Sequence, residues 1–280
     1  MRQEMKPAIR NLRDMRPRFK VADCAASGRF GRAAVAIAVI GAAAALAAPS
    51  GIAGRRHDRP VPILMYHVIA APPAGVAFPE LFVRPADFAK QMKWLAHQGF
   101  HAVTLREVYE YWLTGSPLPR RAVVISFDDG YLSQATEAMP VLRKLHWPGV
   151  LNLKVNAVQK FNLPLWRVRA LIAAKWEIDA HTITHPDLTT VDDARLWQEV
   201  HGSRVEIRKM LHVPVEFFCY PSGRYNAHVI DAVRRAGYWG ATTTNYGLAS
   251  PAKPYELSRV RINGSDGLAG FAHKLESVAP

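Results

Sequence analysis

From Val61 onward the chain alternates short β-rich runs with segments of helical period, and that alternation restricts its fold more than any other feature. A period of two and a period of 3.6 place apolar residues on different faces, so regular exchange between them reads as βα units around a parallel sheet. Residues 62–68, 101–104, 122–127, 150–155, 177–181, 216–220, 240–243 and 257–262 are the predicted strands, each bounded by Gly, Pro or charged residues. Residues 85–98, 105–113, 132–145, 165–175, 191–211 and 226–236 are the predicted helices. Eight strands point to a barrel, but roughly 220 residues is short for a full eight-fold one, which typically needs about 250. The predicted fold class is therefore α/β, a distorted or incomplete (β/α) barrel over residues 61–280, with its chemistry at the C-terminal strand ends.

The formal net charge of +13 invites a nucleic-acid reading until it is located. Residues 1–56 hold eleven Lys/Arg against Glu4, Asp14 and Asp23, a balance of +8, which leaves +5 for the other 224 residues. That remainder is dispersed, without a basic helix or interleaved stacking aromatics, so no nucleic-acid partner is expected. The basic run ends at Arg32, and residues 33–53 follow as 21 uncharged, mostly small or apolar residues, about the length of one membrane helix. Arg55, Arg56 and Arg59 then close the segment.

More positive charge before the segment than after it puts the N-terminus in the cytoplasm and the rest outside. The expectation is a basic cytoplasmic tail over 1–32, a single N-terminal membrane helix over 33–53 and a linker over 54–60. The catalytic domain over 61–280 would then sit at the periplasmic face of a bacterial-type inner membrane. A cleaved signal peptide is the rival, because Ala45-Leu46-Ala47 and Ile52-Ala53-Gly54 offer small residues to a peptidase, and the product would then be secreted. The two cysteines, Cys24 and Cys219, fall on opposite sides of the predicted span and are not expected to pair.

Four short stretches carry candidate chemistry. Val123-Val124-Ile125-Ser126-Phe127-Asp128-Asp129-Gly130 is an apolar strand ending in two adjacent carboxylates, where one acid can bind a metal while its neighbour takes a proton from the attacking water. Taken alone, Asp-Gly after a strand is more often an ordinary turn. Asp179-Ala180-His181-Thr182-Ile183-Thr184-His185-Pro186 follows another strand and offers two imidazoles four positions apart. With Asp129 they make a two-His, one-carboxylate set with an open position, typical of catalytic divalent sites. Phe217-Phe218-Cys219-Tyr220-Pro221-Ser222-Gly223 runs into a Pro/Gly turn, so a backbone N–H near Tyr220 could face an oxyanion, and Tyr220 and Pro221 are the candidate oxyanion and substrate contacts, against the plainer reading of a buried strand with its turn. His67, in Tyr66-His67 at the end of the first strand, is by itself more often a satisfied rim histidine.

Together these motifs resemble carbohydrate esterase family 4, the polysaccharide deacetylases with a NodB homology domain, over roughly residues 61–262. The resemblance implies that Asp128 is the general base and that Asp129, His181 and His185 hold a divalent ion, Zn²⁺ first, with Co²⁺, Ni²⁺ and Fe²⁺ as alternatives. Many members carry an Arg in the third motif and a later Leu-X-His; here the Arg position reads Cys219 and no such His is present. Both departures are shared with the branch resembling poly-β-1,6-N-acetylglucosamine deacetylases, in which an N-terminal Tyr-His replaces the missing acid, so His67 takes that role.

The expected function is metal-dependent removal of N-acetyl groups from an N-acetylglucosamine polymer of exopolysaccharide or biofilm type. The alternatives are another N-acylated glycan, such as peptidoglycan, a chitin-like oligomer or a lipid-linked sugar, and an inactive glycan-binding protein. Trp166, Trp176 and Trp239 are candidates for stacking on sugar rings at the barrel mouth.

Overall fold

All eight predicted strands form: β1 (Ile63–Tyr66), β2 (His101–Val103), β3 (Ala122–Asp128), β4 (Val150–Leu153), β5 (Glu177–Ala180), β6 (Phe217–Cys219), β7 (Gly240–Tyr246) and β8 (Leu257–Arg261). The computed structural model describes residues 57–159 and 162–278. The predicted tail and membrane segment, and residues 54–56 of the predicted linker, lie outside these. Among the described residues no helix is long and apolar enough to cross a membrane.

Every pairing in the sheet is parallel, in the order β1-β8-β7-β6-β5-β4-β3-β2, and an additional β1–β3 pairing closes it on itself. The closed ring leaves β2 outside. It pairs with Ala122, Val123 and Val124 at the start of β3, whereas β4 takes Ser126, Phe127 and Asp128. The expected distortion is therefore a seven-strand barrel with one strand displaced from the ring.

The helices are α1 (Pro85–His97), α2 (Leu105–Thr114), α3 (Met139–Lys144), α4 (Val155–Gln159), α5 (Leu165–Ala173), α6 (Asp193–Trp197), α7 (Ser203–Leu211), α8 (Ala227–Arg235) and α9 (Gly267–Val278). Two helices predicted as continuous each contain a π-helical turn: Gln134–Ala138 ahead of α3, and Gln198–Gly202 between α6 and α7. The sequence reading missed α4, which is barely one turn long, and α9, whose two glycines weaken its helical pattern.

Alternation along the strands sorts side chains to two destinations. Leu64, Tyr66, Val123, Ile125, Phe127 and Leu151 face outward into the layer shared with the helices. Ile63, Val124, Val150, Phe217 and Leu257 face inward and form an apolar floor. Burying such a side chain contributes about 1.5–3 kcal/mol.

Helix α2 plugs that end of the barrel. It starts on a reciprocal capping box between Thr104 and Glu107 and brings Leu105, Val108, Tyr109 and Trp112 onto the floor. The Tyr109 ring meets Phe217 at 4.6 Å, and its hydroxyl donates to the Pro254 carbonyl at 3.0 Å. Gly240 permits this approach, since a Cβ there would lie 2.0 Å from the Tyr109 oxygen. Above the floor the interior turns polar, with Ser126, Asp128, Asn152, Asp179, His181 and Arg259 all buried.

Candidate active site

Strand β3 ends in a turn that separates its two carboxylates. Asp129 and Gly130 both adopt left-handed backbone conformations, φ 75° and 80°, and the Gly130 N–H donates to the Asp128 carbonyl at 3.0 Å. A left-handed non-glycine residue is costly and persists where the surroundings enforce it. Thr182, His185 and Ser222, in the loops after β5 and β6, share that conformation.

Asp128 points into the barrel, where Arg259 grips it with two bonds, Nη1 to Oδ1 at 2.8 Å and Nη2 to Oδ2 at 2.9 Å. Asn152 donates to Oδ1 at 2.7 Å, and His67 Nε2 lies 3.8 Å from Oδ2. Burial alone would raise the Asp128 pKa, but the charge of Arg259, followed by His67, outweighs it and holds the carboxyl well below the usual range. Arg259 also donates toward the Cys219 sulfur at 3.3 Å, and burial pushes that thiol up to about 12. The guanidinium absent from the third motif thus arrives from β8. Sequence reasoning did not connect it to Asp128, although a charged residue in the strand Leu257–Arg261 must find a partner if it faces inward.

Asp129 points toward the mouth. Its Oδ1 lies 3.7 Å from His181 Nε2 and 3.7 Å from His185 Nε2, and one ligand atom from each of the three residues falls within 4.8 Å of the others. Tetrahedral ligands at about 2.0–2.1 Å from Zn²⁺ would stand about 3.4 Å apart, so this set closes on a cation with small shifts. His181 Nδ1 bonds the Cys219 carbonyl at 2.8 Å, which fixes the tautomer and leaves Nε2 with its lone pair toward Asp129. Burial would raise the Asp129 pKa, but His181, then Lys154, His67 and His185, bring it down overall. Lys154 Nζ stands 3.6 Å from Asp129 Oδ1, a neighbour the motifs did not reveal.

His67 is mostly buried, and burial lowers its pKa against the opposing pull of Asp128 and Asp129. The structure corrects two expectations. The Tyr220 N–H donates to the Thr242 carbonyl at 3.1 Å, its side chain is buried against Tyr225, and Pro221 has no N–H, so neither residue presents a free oxyanion donor. Trp176 is buried and Trp239 packs beside the apolar floor; both precede strands, at the end of the barrel away from the site. Trp166, beyond β4, is exposed.

The family model described as polysaccharide deacetylase matches residues 115–241. The Bacillus subtilis protein YxkH, named for the polysaccharide deacetylases, is 31% identical over 221 residues, covering 78% of this chain and 77% of that protein. The poly-beta-1,6-N-acetyl-D-glucosamine N-deacetylase of Escherichia coli K12 is 25% identical over 70% of this chain, which spans 36% of its length. The solved Streptococcus pyogenes deacetylase PplD, in complex with acetate, superposes with a TM-score of 0.73 at 27% identity, over 80% of this chain and 100% of that one. This chain thus belongs to the polysaccharide deacetylase family, carbohydrate esterase family 4, whose members are metal-dependent deacetylase hydrolases.

Proposed function

We propose that this chain removes N-acetyl groups from an N-acetylglucosamine polymer of exopolysaccharide type, with Asp129, His181 and His185 holding a divalent cation, Zn²⁺ first among candidates. The observation that carries this reading is the convergence of Asp129 Oδ1 on both imidazoles at 3.7 Å, with Asp128 and His67 beside them. A cation bound there supplies Lewis acidity to the acetamide carbonyl and acidifies the attacking water, so that a weakly basic carboxylate suffices as base.

The chain's own residues then divide the proton traffic. Asp128, ionised and held at both oxygens by Arg259, accepts the proton of the attacking water. Protonated His67 gives its proton to the nitrogen of the breaking C–N bond, so acetate and a free amine leave together. The 3.8 Å gap between His67 Nε2 and Asp128 Oδ2 lets the proton gained by one restore the other.

The polymer assignment is supported by the relatives named for poly-β-1,6-N-acetylglucosamine in Escherichia coli and Staphylococcus epidermidis, and by Cys219 standing where other members carry Arg. A second reading, deacetylation of another N-acylated glycan, is supported by the Bacillus subtilis relative, whose name specifies no polymer. The charge asymmetry around residues 33–53 supports a catalytic domain tethered outside the inner membrane. Acetate release by the Zn²⁺-loaded chain from β-1,6-linked N-acetylglucosamine oligomers, set against chitin and peptidoglycan oligomers, tests the assignment. Release from the β-1,6 series alone is expected, and release only from another series would overturn the polymer while keeping the reaction.

A further inference from the structure

Each of the two π-helical turns places one fully buried polar side chain against the backbone that carries the site. In the first turn, Gln134 Nε2 donates to the His67 carbonyl at 2.9 Å and to the Asp128 carbonyl at 2.6 Å, tying the end of β1 to the end of β3. In the second, Glu199 Oε2 accepts the Ile183 N–H at 2.7 Å and the Thr184 N–H at 2.9 Å, while Oε1 accepts the Thr184 hydroxyl and Arg195, each at 2.6 Å. Ile183 and Thr184 lie between the two histidines, in a loop held left-handed at both Thr182 and His185. Within that loop the Thr182 hydroxyl accepts the His185 N–H at 2.9 Å; from outside, the Val155 and Asn156 N–H groups donate to the Thr182 and Ile183 carbonyls at 3.1 and 3.0 Å, and the Glu199 carboxylate takes the N–H groups of Ile183 and Thr184.

A π turn spends an inserted residue and a poorer hydrogen-bond pattern, and such turns concentrate at functional sites. Here both turns deliver buried side chains whose bonds go to the loops of the site. We propose that the two π turns are positioning devices with separate tasks: Glu199 sets the spacing of His181 and His185, and Gln134 sets the placement of His67 against Asp128. The Glu199 task rests on the reading of Asp129, His181 and His185 as a cation site.

The tasks predict different losses. Glu199→Gln keeps the side-chain size but replaces one carboxylate oxygen with a donor facing the Thr184 hydroxyl and Arg195, so the loop loosens. Its Zn²⁺ dissociation constant, measured by competition with a chromophoric chelator on the full chain, is expected to rise 10- to 100-fold, as for other changes around a ligand's support. The Co²⁺ absorption spectrum is expected to change with it. Thr184→Val removes one bond to Glu199 together with the acceptor of an Arg195 bond, and is expected to weaken binding about threefold, giving a second test should Glu199→Gln fail to fold.

Gln134→Leu also removes an acceptor, Oε1, that has no partner among the described residues, and leaves Asp128 O its bond from Gly130. It is expected to bind Zn²⁺ as wild type does, with kcat down at least tenfold and KM unchanged. Folded Glu199→Gln with wild-type affinity and spectrum would reduce that carboxylate to a structural part and overturn the proposal. So would Gln134→Leu with wild-type kcat. Wild-type protein that binds neither cation would instead overturn the cation reading, and the Glu199 task with it.

Discussion

Arg259 is the residue on which the charge of Asp128 depends. Removing one partner of a buried ion pair leaves the other uncompensated, at a cost of about 3–5 kcal/mol. Arg259→Met is therefore expected to lose about that much in urea unfolding, and to lose turnover as well; unchanged stability would mean that the pair is not formed. His67 gives a separate signature. Burial lowers its pKa, so its proton is lost as pH rises through a value below the ordinary 6.5, and activity that needs it as an acid falls on that limb. Asp128, held far below the carboxylate range, stays ionised over the same pH span. His67→Ala is expected to remove the alkaline limb of kcat/KM, and a limb that persists would assign the acid elsewhere. Asp128, Asp129, His181 and His185 were legible in the sequence as candidates because each motif is local: the two carboxylates are adjacent at the end of an apolar strand, and the two histidines stand four positions apart after another strand. Arg259 and Lys154 were not, because each meets its partner only once the fold sets the strands in place: Arg259 comes from 131 residues away, and Lys154 follows β4, the neighbour of β3.

Helix α2 was legible to within a residue, since Thr104 and Glu107 announce its start and Gly115 its end. Its reciprocal cap makes a simple prediction: Thr104→Ala should lower stability by about 1 kcal/mol, read as a shift of the urea midpoint. It should leave cation affinity unchanged, because α2 closes the end of the barrel away from the site. The π turns escaped the sequence reading for a physical reason. One inserted residue barely disturbs a 3.6-residue period, so 132–145 and 191–211 still read as unbroken helices. Gln134 and Glu199 then look like polar residues in ordinary helices, and only their destinations show otherwise.

Across the whole molecule, alternating periods announced a parallel α/β barrel, but not that β2 would leave the ring. That choice depends on β1 and β3 meeting directly, a contact between strands separated by α1, β2 and α2. The two ends of the barrel also differ in electrostatics. Away from the site, Glu177 accepts the Arg106 N–H at 3.1 Å, Arg106 pairs with Glu216 at 2.6 Å, and Asp179 lies above on the same face of β5. Burial, with Glu216 adding to it and Arg106 opposing, raises the Glu177 pKa from 4.5 to about 7. A carboxyl that holds its proton more tightly when folded contributes less stability as pH climbs through that window. Glu177→Gln is expected to flatten this decline between pH 5 and pH 8 by on the order of 1 kcal/mol, and an unchanged slope would place the titration elsewhere.

The division of labour between the adjacent carboxylates is tested most directly by Zn²⁺ content after equilibrium dialysis, with acetate release measured on the same samples. Wild type is expected to hold one Zn²⁺ per chain and to release acetate. Asp128→Asn should retain the ion and release none, and Asp129→Asn should lose ion and activity together. Asp129→Asn protein that deacetylates without bound metal, or Asp128→Asn protein that turns over at the wild-type rate, would contradict the assignment.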